Sequence, residues 1–171
     1  MLNLTLLRHA KSDWGSYGGD DFSRDISEIG IKKTEKIGRF LEKKQISFDE
    51  ILCSPSLRTK KTLKIILDFI KHKPLVRYID ELYYQHNKEI YETIMLEAKG
   101  KKVLVISHEP ILSASIEDFS SDFKNNDFIR ASEKFATSSI FQITFLCDSW
   151  LEISKSNSRI VFFKRPSDLK D

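Results

Sequence analysis

Apolar runs of strand length recur along this chain at Leu4–Leu7, Asp49–Ser54, Leu75–Ile79 and Val103–Ser107. Between them the apolar positions change to helical spacing. Ile37, Phe40 and Leu41 give a stripe that runs to about Lys44, with Ser27 placed to cap its start. Pro55 stops the second strand, and a helix is predicted from about Leu57 to His72. A third helix is predicted over Lys88–Lys99, ending at Gly100, and a fourth from Pro110 to about Phe119. The carboxyl third turns β-rich, with strands predicted at Ser139–Leu146 and Ile160–Lys164 and a short turn or strand at Trp150–Ile153. Trp14–Asp21 holds three of the six glycines and reads as a loop. Ser120–Lys134 mixes Asp, Asn and Ser with scattered aromatics and reads as a substrate-side loop.

Strands that alternate with helices require crossover connections, which place helices on both faces of a parallel sheet. The expected fold is therefore α/β: a three-layer α/β/α sandwich around a mostly parallel central sheet. At 171 residues and 40% hydrophobic content the chain suits a single domain spanning 1–171. The 28 basic and 25 acidic residues are interspersed, so the net charge of +3 points neither to nucleic acid nor to a membrane surface. Lys32-Lys33 and Lys60-Lys61 read as wet helix faces that could also steer an acidic partner. Cys53 and Cys147 lack a metal-binding spacing, and the amino terminus lacks the pattern of a signal peptide; the cytoplasm is the expected compartment.

Chemistry gathers at strand ends. In an open parallel sheet the carboxyl ends of the strands share one edge, where ligands bind. That edge would carry Arg8-His9 after the first strand, Ser54 to Arg58 after the second, and Ser107-His108 after the fourth. Two guanidiniums and two imidazoles would then converge from positions about a hundred residues apart. Arginine forks match phosphate oxygens, and an imidazole beside them could attack phosphorus while another donates a hydrogen bond. This set points to phosphoryl transfer.

The same residues resemble the histidine phosphatase superfamily, of phosphoglycerate mutase-like fold. Leu7-Arg8-His9-Ala10-Lys11-Ser12-Asp13-Trp14 looks like its RHG signature, with Ala10 in place of the glycine and Gly15 where many members have Asn. Asp21-Phe22-Ser23-Arg24, Ser54-Pro55-Ser56-Leu57-Arg58-Thr59 and Ser107-His108-Glu109-Pro110 look like further blocks of the small SixA-type phosphohistidine phosphatases. Phe135-Ala136-Thr137-Ser138-Ser139, Asp148-Ser149-Trp150 and Arg165-Pro166-Ser167-Asp168-Leu169 extend the likeness nearly to the carboxyl end.

The resemblance implies that His9 is a nucleophile that becomes transiently phosphorylated, with its other ring nitrogen held by a carbonyl. Arg8 and Arg58 would clamp the phosphate. His108 would complete the cradle, by charge alone as an imidazolium, and Ser12 would either add a hydroxyl to the phosphate or cap local backbone. Neither a cofactor nor a metal is implied. Many members place a general acid after the third strand, which here makes Glu81 the candidate, with Asp13 and Glu109 as lesser ones; a phosphoramidate substrate could dispense with it. Trp14, Tyr83 and Tyr84 are candidates to frame the entrance, whereas His72 and His86 read as surface residues. The expected substrate is phosphohistidine in a phosphorylated protein. The alternatives are a small phosphorylated molecule hydrolysed by a broad phosphomonoesterase and a non-catalytic phosphate-binding module.

Overall fold

The computed structural model describes residues 1–83 and 89–170. Six strands form one sheet: β1 (Leu2–Arg8), β2 (Glu50–Cys53), β3 (Leu75–Tyr78), β4 (Lys102–Ser107), β5 (Ile140–Phe145) and β6 (Ser158–Lys164). Their order is β3-β2-β4-β1-β5-β6. The β1–β4, β4–β2 and β2–β3 pairs are parallel, whereas β5 is antiparallel to both β1 and β6. The sheet is thus mostly parallel, as its run of buried strands predicts.

Alternation along the inner strands sends side chains to two cores. Leu4 and Leu6 of β1 and Val103 and Val105 of β4 face one; Leu7, Leu104 and Ile106 face the other. The first core is closed by α3 (Ile90–Glu97), α4 (Ile111–Phe119) and α5 (Asn126–Glu133), through residues such as Ile94, Ile116 and Phe128. The second is closed by α1 (Glu28–Lys43) and α2 (Leu57–Leu67), through Ile37, Leu41, Leu63 and Ile66. Burying each such aliphatic side chain contributes about 1.5–3 kcal/mol relative to exposure. The three-layer sandwich follows from this two-sided burial.

Several boundaries differ from expectation. The second helix ends at Leu67, short of His72, where its bonds tighten to a turn, Asp68 N donating to the Ile65 carbonyl and Phe69 N to that of Ile66, and the Phe69 ring packs against Gly38 of α1. The third helix begins at Ile90; Lys88 lies outside the described residues, as do Tyr84 and His86. Ser120–Lys134 is not a loop throughout. Asn125 accepts from the backbone N–H groups of Asp127 and Phe128 and so caps α5, whose Phe128 and Ala131 join the core. Polar residues on the outer face of that helix hide its narrow apolar stripe. Trp150–Glu152 is a 3-10 turn, with the Trp150 indole donating to the Gly100 carbonyl at 2.7 Å. His72 is exposed and Cys53 is buried, the latter with its thiol pushed up to about 12 by desolvation. Among the described residues no helix is long and apolar enough to cross a membrane.

Candidate active site

Strand register sets the site. Arg8 pairs with Ser107 across β1 and β4, while Cys53 pairs with Ile106, which puts Ser54 level with Ser107. The residues that follow, His9, Ser54 to Arg58, and His108, therefore emerge together at the carboxyl edge. The His9 and His108 rings lie 5.1 Å apart between centroids. His9, Arg58 and His108 are each about 95% buried. The predicted convergence of the two imidazoles with Arg58 is what the geometry shows.

His9 is held in one tautomer. Its Nδ1 stands 2.7 Å from the Ala10 carbonyl oxygen, which can only accept, so the proton is on Nδ1 and the Nε2 lone pair is free of it. Burial, then His108 and the arginines, hold the His9 pKa well below its ordinary value, because a second cation there would be poorly solvated and repelled. The peptide after His9 is anchored as well. The Ala10 N–H donates to Thr62 Oγ1 at 2.8 Å, and the Thr62 hydroxyl donates to the Arg58 carbonyl at 2.7 Å. This link ties the end of β1 to α2, which carries Arg58.

His108 departs from the imidazolium expected by charge alone. Burial, followed by the neighbouring Arg58, pushes its pKa down to about 3, so the ring is neutral at physiological pH. Its Nε2 is 2.7 Å from Ser54 Oγ, and its Nδ1 is buried without a hydrogen-bond partner. Tyr83 packs edge-on against this ring at 5.5 Å and so fixes its plane. Tyr83 is thus a packing residue of the site.

Each arginine uses its outer nitrogens on the protein. Arg8 donates from Nη1 to the Phe135 carbonyl at 3.0 Å. Arg58 donates from Nη1 to the Asp21 carbonyl at 2.8 Å and from Nη2 to Asp21 Oδ2 at 3.0 Å. A third guanidinium joins them. Arg24, on the chain that returns from the glycine-rich loop, donates to Asp21 Oδ1 at 2.9 Å and to the Ser12 hydroxyl. Among the described residues the Nε atoms of Arg8, Arg24 and Arg58 are buried without partners. Buried donors are nearly always satisfied, so three orphaned guanidinium N–H groups in one site suit an acceptor-rich ligand.

Two residues that join this cluster were not among the site residues expected from the sequence, Arg24 and Asp21. Both lie in a block that matched the family pattern, which was the available signal, but neither ends a strand. The Ser12 hydroxyl accepts from the Arg24 guanidinium. Trp14 is 68% exposed and lies over Arg24, 4.0 Å from its ring centroid to the guanidinium carbon. Asp13 caps the 3-10 turn at Trp14–Ser16 through Gly15 N, and Glu109 accepts from Ser113 N in the first turn of α4. Glu81 sits half-buried in the 3-10 turn Asp80–Leu82 that follows β3 at the same sheet edge.

The family model of the histidine phosphatase superfamily (branch 1) matches residues 4–82, which include His9, Arg24, Arg58 and Glu81. The solved structure of the protein histidine phosphatase SixA complexed with tungstate superposes with a TM-score of 0.73 at 20% identity, over 99% of this chain and all of that one. The chain has the histidine phosphatase fold. A protein from Agrobacterium tumefaciens that bears the name SixA superposes with a TM-score of 0.78 at 24% identity, over 96% of this chain and 97% of its own. By sequence, an uncharacterized protein of Mycobacterium leprae is 27% identical over 168 residues, covering 94% of this chain and 99% of its own. The likeness to histidine phosphatases read from the motifs therefore extends to the whole architecture.

Proposed function

We propose that this protein is a phosphatase that hydrolyses phosphohistidine in proteins through a covalent intermediate on His9. One observation carries the reading: the His9 Nε2 lone pair, kept free by the Ala10 carbonyl, shares its site with three buried guanidinium Nε donors that lack partners among the described residues. In the first step Nε2 attacks phosphorus, the bond to the substrate nitrogen breaks, and the departing imidazole gains a proton. Water then attacks phosphorus, the bond to Nε2 breaks, and inorganic phosphate leaves. Arg8, Arg24 and Arg58 hold the equatorial oxygens, where a loose phosphoryl transition state concentrates charge. The neutral His108 ring, hydrogen-bonded to Ser54 Oγ through Nε2 at 2.7 Å, supplies a further donor in the tautomer that carries its proton on Nδ1.

No step calls on a metal or an organic cofactor. Glu81 is the candidate to protonate a poor leaving group. A phosphoramidate nitrogen, once protonated, departs without strong acid assistance, which favours phosphohistidine over ordinary phosphate esters. Both cysteines are free, which suits the cytoplasm as the compartment.

The experiment compares hydrolysis of a phosphohistidine protein with that of a small phosphate ester, in chelator, together with acid-labile label trapped on the protein. The expected result is faster turnover of phosphohistidine and label lost in His9→Ala. Strong ester preference would replace the substrate class with small phosphomonoesters. Tight phosphate binding without trapping or turnover would make the site a binding module.

A further inference from the structure

Asp21 has no place in the chemistry above, yet both oxygens of its carboxylate are engaged at the edge of the site. Its Oδ1 accepts from Arg24 and its Oδ2 from both Arg58 and the Tyr83 hydroxyl, the latter at 2.8 Å. Its main-chain carbonyl accepts a further bond from Arg58 Nη1. The arginine side chains are 6–9% exposed, whereas that of Asp21 is 47% exposed, so the carboxylate stands at the rim of the cradle.

We propose that Asp21 is a positioning residue, a brace that aims Arg24 and Arg58 at the substrate phosphate and stays in place when that phosphate binds. This rests on the phosphatase reading. An anion occupying the phosphate position would be expected to take the inner donors. Asp21 takes only terminal Nη groups and leaves the buried Nε atoms of both arginines without partners. Its grip on Arg58 also runs through a backbone carbonyl, which cannot swing aside by a change of rotamer. The backbone itself is pinned: Asp20 caps the 3-10 turn Asp21–Ser23 through Phe22 N and also accepts from the Ser23 hydroxyl. Because a planar guanidinium offers its donors in a fixed fork, tying one edge to Asp21 sets the direction of the other. The pair of arginines is thereby oriented before the ligand arrives, which spares the reorganisation that weakens binding and catalysis in a loose site.

The test measures binding of inorganic phosphate and of orthovanadate by calorimetry, alongside kcat and KM, for the full chain and for Asp21→Ala and Asp21→Asn. The expected result is oxyanion affinity about 10-fold or more weaker in Asp21→Ala, with KM raised and kcat lowered, the interactions with transition-state charge being lost too. Asp21→Asn, which keeps the size and one acceptor, should fall between wild type and Asp21→Ala. Tyr83→Phe, which removes one bond to the carboxylate, should shift affinity in the same direction by less. Thermal unfolding should be little changed, separating a brace from a folding defect. Unchanged or tighter oxyanion binding in Asp21→Ala would overturn the proposal and make the carboxylate a bystander or a competitor. If wild type binds neither oxyanion, the phosphatase reading itself fails, and the brace with it.

Discussion

The His9 and His108 rings meet at 51° with centroids 5.1 Å apart, so that a proton gained by either ring stands beside its neighbour and close to Arg58. Burial foremost, and after it the neighbouring cations, keep both rings neutral well below the ordinary histidine value of 6.5, His108 down to about 3. In the unfolded chain the same rings take up protons near 6.5, so at lower pH the unfolded state binds more protons than the folded one. Their contribution to stability is therefore present above about pH 6.5 and declines as pH falls from there toward the folded pKa values, by about 1.4 kcal/mol per pH unit for each ring. Denaturant unfolding between pH 7 and 4 should show this slope, and imidazole NMR shifts of His9 and His108 should stay flat through pH 6. A midpoint near 6.5 for either ring would contradict its burial.

In the proposed reaction, replacing His108 by Ala would remove one donor to the phosphoryl oxygens and leave His9 intact. The expected loss is on the order of 100-fold in kcat, with phospho-His9 still trapped in a single turnover. Rapid-quench labelling measures both. Loss of trapping together with turnover would assign His108 a part in nucleophile placement as well.

Thr62→Val keeps the shape of the side chain but removes the hydroxyl that accepts from Ala10 and donates to Arg58. The Ala10 N–H is then left buried and unsatisfied, which costs about 1–3 kcal/mol. Urea titration should report that loss. Turnover should fall further than stability predicts, because the peptide carrying the His9 acceptor is no longer anchored.

Gly30→Ala sets two effects against each other. Gly30 lies in the first turn of α1, its N–H capped by Ser27, so alanine gains at most the ~1 kcal/mol of propensity it has over glycine in a helix interior. A Cβ there, however, would stand 2.5 Å from the Lys11 carbonyl oxygen and 3.0 Å from Lys11 N, both backbone atoms of the segment just after the nucleophile. Overpacking of this kind costs about 1–3 kcal/mol, so the clash wins. The variant should unfold at lower denaturant and show a perturbed His9 signal. A stabilised, fully active Gly30→Ala would refute the close approach.

The sandwich was legible because its inner strands are continuous apolar runs, and the strand ends named Arg8, His9, Arg58 and His108 directly. What stayed hidden depends on fold-back and burial. Asp21 ends the stretch read as a loop and Arg24 follows it, and only the return of the chain brings the pair to Arg58. The protonation state of His108 follows from burial that no local pattern reveals. Helix α5 was obscured by its polar outer face, with only Phe128 and Ala131 buried. The part played by Phe135 is a backbone carbonyl, which carries no side-chain signature at all.

Strand β5 runs against its neighbour β1, so it begins at the very edge where the parallel strands finish. That reversal delivers the Phe135 carbonyl to Arg8 and the Ser138 N–H to the Arg8 and His9 carbonyls. The reacting groups are thus not a cassette held within residues 4–82: a fragment ending there would lack His108 and every contact that steadies the Arg8-His9 peptide from the far side. Assembly of the site waits on the last third of the chain, so that, in the proposed function, phosphate affinity would report complete folding.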